Sequence, residues 1–128
     1  SAKSMGFELF VSLSIPFYGL DARSIKECLK ELPKYLKHER VVAMGEIGLD
    51  CGIEDERELF KAQLSIAKAH GLPIIVHTPI RLAPQAPAVI RKIVQVIREE
   101  KFPLENVVLD HTGESTFDYR LSNHGPRL

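Results

Sequence analysis

Three residues that can bind a metal ion, Glu46, His77 and His111, each stand at or just beyond the end of a short apolar segment. The segments are VVAMG, IIV and VVL, and they lie about thirty residues apart, the length of one strand and one helix. Strands joined in this way are parallel, and their carboxyl ends meet at one edge of the sheet. A carboxylate and two imidazoles at that edge predict a site for a divalent metal ion.

The alternation of side chains along a strand adds a prediction about faces. Each candidate ligand should share a face with apolar residues two or four positions before it: Val42 and Met44 with Glu46, Ile75 with His77, and Val107 and Leu109 with His111. The same alternation turns Asp110 toward the helices, which favours a structural role. Asp50 follows the glycine turn after Glu46, and it is expected to fix that turn or to cap the next helix.

The rest of the chain predicts a β-α repeat of about four strands, and hence the α/β class with a parallel sheet. Phe7 to Ile15 is strand-like, and Asp21 is suited to cap a helix that Pro33 should kink or divide. An apolar stripe from Leu59 to Ala67 indicates the second helix, and Pro87 suits the first turn of the third.

The length and composition predict one ordinary globular domain, residues 1–128, after an expression remnant at residues 1–4. Of the 128 residues, 45% are hydrophobic and 27% are charged, and the formal net charge is zero. No basic field indicates nucleic acid or an anionic membrane, and no apolar run reaches the ~20 residues of a membrane span. Cys28 and Cys51 lack the spacing of a zinc or redox motif, which predicts reduced thiols in a cytoplasmic protein.

The number of strands raises a question about closure of the sheet. A closed eight-stranded barrel typically needs ~250 residues. Four parallel strands would leave two sheet edges and an apolar inner face uncovered. A partner chain, a rearranged layered fold or further sequence could cover them. We expect self-association through the apolar face, with a buried area above ~1,000 Å².

The segments VVAMGEIGLD, FKAQLSIAKAHGLPIIVHTP and NVVLDHTGEST, in this order, closely resemble the middle of the TatD-related metal-dependent hydrolases of the amidohydrolase superfamily. The resemblance runs from about Phe10 to Gly125 and is strongest to the archaeal branch. It implies half of a TIM (β/α)8 barrel, about strands three to six. Many such proteins are deoxyribonucleases or other phosphodiesterases that use two divalent ions.

The resemblance also implies roles for particular residues. Glu46 matches the carboxylate that contacts both ions, and His77 and His111 match the two imidazoles of the second ion. Arg81 lies near the position of an arginine that approaches substrate phosphate, although the spacing of TPIR is shifted by one. The family's His-x-His pair and its late aspartate have no counterpart in this chain.

Three functions follow as hypotheses. The first is hydrolysis of phosphodiester bonds, including those of nucleic acid, with Glu46 as the catalytic metal ligand and Zn²⁺, Mn²⁺ or Mg²⁺ as the ion. Two ions about 3.5–4 Å apart would activate a shared water. The second is a non-catalytic half-barrel that associates with a copy of itself. The third is hydrolysis of a lactone, an amide or a phosphotriester, since one fold serves many substrates.

Overall fold

The computed structural model of the chain describes residues 5–79 and 84–111, which form a four-stranded parallel sheet in the order β1-β2-β3-β4. A helix follows each of the first three strands. The elements are β1 (Val11–Leu13), α1 (Ala22–Leu36), β2 (Val41–Gly48), α2 (Glu54–Ala69), β3 (Ile74–His77), α3 (Ala86–Glu99) and β4 (Val107–Leu109). The predicted parallel β-α repeat is confirmed.

The first helix begins as predicted and ends later than its proline suggests. The side chain of Asp21 accepts a hydrogen bond of 2.7 Å from the backbone N–H of Ser24, which caps α1. The helix is continuous through Pro33, so the predicted division is wrong, and the alternative, a kink, stays a prediction. Leu32 and Leu36 are buried on either side of the proline, and this packing offsets the loss of one backbone N–H donor.

The other two helices end and begin where the sequence indicates. Gly71, after α2, has a φ of 65°, the left-handed conformation that closes many helices. Pro87 lies in the first turn of α3, where no backbone N–H is needed. All three helices pack on one hydrophobic core that also includes residues of the sheet. The prediction of a single domain over residues 1–128 extends beyond the described residues and stays a prediction.

One face of the sheet is covered by the helices. Met44, Ile74 and Val107 are neighbours across β2, β3 and β4, and none has any exposed surface. The next row of neighbours, Gly45, Ile75 and Val108, lies on the opposite face, which none of the helices in residues 5–79 and 84–111 covers; we call it the open face.

This arrangement corrects two predictions about faces. Met44 does not share a face with Glu46, because a bulge interrupts the pairing: Gly45 pairs with Ile75, Ile47 pairs with Val76, and Glu46 is left between them. Val107 and Leu109 are buried against the helices, so alternation does not place them with His111. The predicted pairing of Ile75 with His77 on one face agrees with their shared half-exposed positions.

Each outer strand of the sheet, β1 and β4, pairs with a single neighbour among the described residues. Within the same residues, no helix is both long and apolar enough to cross a bilayer.

Candidate metal centre

Two glycines bring the end of β2 close to the end of β3. A Cβ atom on Gly45 would lie 2.7 Å from the Cβ of Ile75, and one on Gly48 would overlap the carbonyl oxygen of His77. Neither position therefore accommodates a larger residue without movement of the strands. The close approach places Glu46 beside His77.

His77, the last residue of β3, uses both ring nitrogens. Its Nδ1 lies 3.7 Å from Oε2 of Glu46, and its Nε2 lies 2.6 Å from Oδ1 of Asp50. The ring therefore stands between two carboxylates, one from the strand β2 and one from the loop that follows it.

His111 reaches the same place by a turn of the backbone. Its φ is 51°, so the chain leaves the extended conformation immediately after β4. Two hydrogen bonds hold this turn against β3: the hydroxyl of Thr78 donates to the carbonyl oxygen of Asp110 over 2.6 Å, and the N–H of Asp110 donates to the carbonyl of Val76 over 2.9 Å. The imidazole of His111 packs edge-on against that of His77, with ring centroids 5.3 Å apart.

The structure thus brings the three predicted ligands together at the carboxyl edge of the sheet. Glu46, His77 and His111 each offer one ligand atom, and these atoms lie within 4.8 Å of one another. Two ligands of the same zinc ion lie at most about 4 Å apart, so small side-chain rotations would close the group around an ion. All three side chains are partly exposed, which leaves the position open to solvent.

Asp110 does not face the helices, so the predicted orientation of its side chain is wrong, and the structural role predicted for it stays a prediction. It follows Leu109, whose side chain is buried, and its own half-exposed carboxyl group accepts the backbone N–H of His111 over 2.8 Å and lies beside that of Glu46. The backbone N–H of His111, the Glu46 carboxyl group and the two nearby imidazoles hold the pKa of Asp110 below its usual value, against a smaller effect of desolvation. Asp110 is therefore part of the edge that carries the candidate site.

Asp50 also differs from its prediction. The residue that caps α2 is Ile53, and that cap involves no side-chain hydrogen bond. Asp50 bonds the ring of His77 instead. No periodicity in the sequence reveals this contact, because it joins a loop residue to a strand end 27 positions away.

A cleft of about 220 Å³ opens beside two of the three ligand candidates, Glu46 and His77. Glu46, Asp50 and His77 line one side, and Phe17 and Tyr18 belong to the apolar and aromatic lining contributed by the loop after β1.

Two buried polar residues of α2 hold the loops around this cleft. The side-chain amide of Gln63 accepts from the N–H of Ile15 over 2.8 Å and donates to its carbonyl over 3.1 Å. The carboxylate of Glu56 accepts the N–H groups of Cys51 and Gly52. A hydrogen bond with Cys51 Sγ, desolvation and the negative charge of Glu56 raise the pKa of Tyr18 to about 12.

Arg81, predicted to approach substrate phosphate, lies outside the described residues. Its role stays a prediction.

The chain is similar to a family of known proteins and to individual members of that family. The sequence model of the family described as "TatD related DNase" matches residues 2–117. The chain is 39% identical over 90 residues to an uncharacterized metal-dependent hydrolase from Methanocaldococcus jannaschii, covering 70% of this chain and 35% of that protein. It is 35% identical over 74 residues to the uncharacterized metal-dependent hydrolase YabD from Bacillus subtilis, covering 53% of this chain and 29% of that protein.

A solved structure shows the same fold. The crystal structure of a TatD-like protein from Archaeoglobus fulgidus superimposes with a TM-score of 0.71 at 27% sequence identity, over 96% of this chain and 49% of that protein. The chain thus spans about half of that protein and about a third of the curated relatives. The predicted half-barrel architecture is confirmed.

Proposed function

The chain belongs to the TatD-related DNase family of metal-dependent hydrolases, and we propose that it carries part of the active site of a hydrolase that cleaves phosphodiester bonds. The observation that carries the proposal is the convergence of Glu46, His77 and His111, whose ligand atoms lie within 4.8 Å of one another. Nucleic acid is the substrate class that the family name favours.

The chemistry of the donor set fits a divalent cation. The carboxyl groups of Glu46 and Asp110 lie beside each other at the edge that also carries the two imidazoles. A divalent cation at this position would compensate the negative charge that carboxylates bring to this edge. Two imidazoles with one carboxylate favour Zn²⁺ or Mn²⁺ over Mg²⁺, which prefers oxygen ligands.

A bound divalent ion supplies a Lewis acid that lowers the pKa of water and stabilises charge on a phosphoryl oxygen. Three protein ligands leave coordination positions free, which is typical of catalytic rather than structural sites. The chain's own contribution is to fix the ligands: Gly45 and Gly48 allow the close approach of two strands, and Thr78 holds the turn at His111. The adjacent cleft gives room for substrate beside the ion.

The chain supplies the ligands of one ion position. Its sequence contains no His-x-His pair, the group that the family resemblance assigns to the other ion. We therefore expect metal binding by this chain to be readily measured and its turnover to be weak. The whole protein's activity would need the ligands of both positions.

Metal binding tests the proposal directly. Isothermal titration of the purified chain with Mn²⁺ and Zn²⁺ should show one site, and Glu46→Gln and His77→Ala should each weaken binding by on the order of 100-fold or more, beyond the effect of losing an outer hydrogen-bond partner. His38→Ala is the matched control, since His38 is exposed and precedes the first residue of β2, whereas Glu46 lies toward the other end of that strand. Unchanged affinity in the Glu46 and His77 variants would overturn the proposal.

Hydrolysis distinguishes the substrate classes. Single-stranded DNA and a bis-aryl phosphate diester should be cleaved only with metal, and cleavage should disappear in Glu46→Gln. Activity on lactones but not on phosphodiesters would favour the third hypothesis instead. Absence of turnover at every metal concentration, together with intact metal binding, would favour a chain that binds the ion without completing catalysis.

A second candidate function, self-association, is favoured by the open face. Val42 is 47% exposed, Val108 is 38% exposed, and Ile75 lies beside Val108 in the register of the sheet. We propose that two copies cover these faces and pair their outer strands, β1 with β4. Burial of apolar surface would drive this association.

Light scattering over a range of protein concentrations tests the association. The wild-type chain should be dimeric. The double variant Val42→Ser, Val108→Ser should form a weaker dimer, which is already monomeric at protein concentrations where the wild type is still dimeric. Tyr35→Ser is the control, because Tyr35 is 62% exposed on α1, away from the sheet. A monodisperse wild-type monomer would contradict this proposal without affecting the metal site.

The location of the protein stays a prediction. Cys28 and Cys51 are both free thiols. Because free thiols persist in reducing compartments, we propose that the protein is located in the cytoplasm.

A further inference from the structure

We propose that Asp50 is a positioning residue that fixes the tautomer and the orientation of His77, so that Nδ1 of His77 faces the metal. The inference rests on the proposed function, because it concerns a ligand of the proposed ion. It assigns a role to a carboxylate for which the sequence predicted only a turn or a helix cap.

The contact itself defines the tautomer. Oδ1 of Asp50 lies 2.6 Å from Nε2 of His77. A carboxylate can only accept a hydrogen bond, so Nε2 carries a proton, and in the neutral ring Nδ1 then keeps its lone pair. Nδ1 is the nitrogen that lies toward Glu46, at 3.7 Å from Oε2. The lone pair is therefore directed to the side of the ring where the other candidate ligand stands.

Asp50 is itself held in place by its neighbours. Leu49, the residue before it, is 1% exposed and packs in the hydrophobic core. The N–H groups of Cys51 and Gly52, the two residues after it, donate to Oε1 of Glu56 over 3.1 and 2.8 Å. Because the chain is anchored on both sides, the carboxylate of Asp50 is presented to His77 by a fixed backbone.

The buried carboxylate of Glu56, which holds this loop, supports a functional role for the position of Asp50. Glu56 is a carboxylate with 2% exposure, and a buried carboxylate is retained only where its hydrogen bonds compensate for lost hydration. Its partners on the loop are backbone groups beside Asp50. The sequence of contacts thus runs from Glu56 to the loop, from the loop to Asp50, and from Asp50 to His77.

Asp50 acts as an outer partner and not as a ligand. Within the described part of the chain, Glu46 is the carboxylate residue that forms a possible metal-binding group with the two imidazoles. The Oδ1 atom of Asp50 lies behind the ring, on the Nε2 side. Carboxylates placed behind a ligating histidine in this way orient the ring and raise its affinity for metal, and their removal typically costs 10–100-fold in affinity.

The test combines metal affinity with a spectroscopic signature of the ring. Asp50→Ala should weaken Mn²⁺ and Zn²⁺ binding by about 10–100-fold. Asp50→Asn should have a smaller effect, because its carbonyl oxygen still accepts the Nε2–H. Asp55→Ala is the matched control: Asp55 is exposed in the first turn of the same helix that Glu56 belongs to.

Long-range proton–nitrogen correlation spectra of the metal-free chain give the second readout. In the wild type, Nδ1 and Nε2 of His77 should show the well-separated shifts of a single Nε2–H tautomer. In Asp50→Ala, exchange between tautomers should bring the two shifts together, whereas Asp55→Ala should match the wild type. Denaturant unfolding of each variant would establish that it is folded before these comparisons.

The outcomes separate this inference from the proposed function. If Glu46→Gln leaves metal affinity unchanged, the proposed function is wrong, and the metal-free spectra still decide whether Asp50 fixes the ring. If Glu46→Gln abolishes binding but Asp50→Ala keeps wild-type affinity or wild-type nitrogen shifts, the positioning role of Asp50 is overturned.

Discussion

Two neighbouring rows of residues across the same three strands have opposite environments. Met44, Ile74 and Val107 have no exposed surface and lie under the helices, whereas Gly45, Ile75 and Val108 lie on the open face one position further along. The first row belongs to the hydrophobic core. The second row leads, within one to three positions, to Glu46, His77 and His111. A shift of one residue along a strand thus separates the part of the sheet that stabilises the fold from the part that carries the candidate site.

The largest effect expected from this comparison is on stability. Ile74→Ala should lower the free energy of unfolding by about 2–5 kcal/mol, because it removes a fully buried side chain and leaves a cavity. Ile75→Ala makes the same chemical change on the next residue, whose side chain is half-buried on the open face, and it should cost clearly less. Urea unfolding of the two variants measures the difference.

A dependence on protein concentration would refine the result for Ile75. If copies of the chain cover the open face, the cost of Ile75→Ala should grow as the protein concentration rises, and the cost of Ile74→Ala should stay constant. Equal costs for the two substitutions at low concentration would contradict the assignment of the two faces.

The smallest effect should come from a contact that belongs to neither face. The hydrogen bonds from Ser24 hold the pKa of Asp21, the cap of α1, below its usual value. A carboxyl group with a lowered pKa in the folded state contributes stability above its unfolded pKa, about 3.9, and loses it as the pH falls through the folded value. Asp21→Asn keeps the hydrogen-bond acceptor and removes the charge.

The measurement compares the unfolding free energies of Asp21→Asn and the wild type at two pH values. The variant should be slightly less stable near pH 7, and the difference should shrink toward pH 3. A difference that grows on acidification would show that the charge of Asp21 does not stabilise the helix.

The position of the candidate site could be predicted from the sequence because it depends on rules that act over whole strands. Parallel strands joined by helices end at one edge, so Glu46, His77 and His111 had to be close whatever the details of packing. Capping by Asp21 and the start of α3 at Pro87 follow equally local rules.

The orientation of individual side chains could not be predicted in the same way. The bulge at Glu46 shifts the alternation of β2 by one residue, and the turn at His111 ends that of β4. Both depend on backbone geometry imposed by neighbouring strands, as at Gly45 against Ile75. Alternation therefore predicts the wrong face for Met44 relative to Glu46, although the three candidate ligands do lie close together.

The contacts of Asp50 and Asp110 were missed for a related reason. Each residue lies beyond the end of a strand, where the period of the sequence no longer determines direction. Only the fold shows that Asp50 meets His77 and that Asp110 meets Glu46. Acidic residues that follow a predicted ligand strand are therefore the ones whose roles require coordinates.

The most direct test of the metal site is a crystal structure of the chain grown with Zn²⁺ or Mn²⁺, with anomalous diffraction measured at the metal's absorption edge. We predict one strong anomalous peak at the carboxyl edge of the sheet, within bonding distance of a Glu46 oxygen, of Nδ1 of His77 and of a His111 nitrogen. A metal ion bound elsewhere while these three side chains stay apart would contradict the assignment.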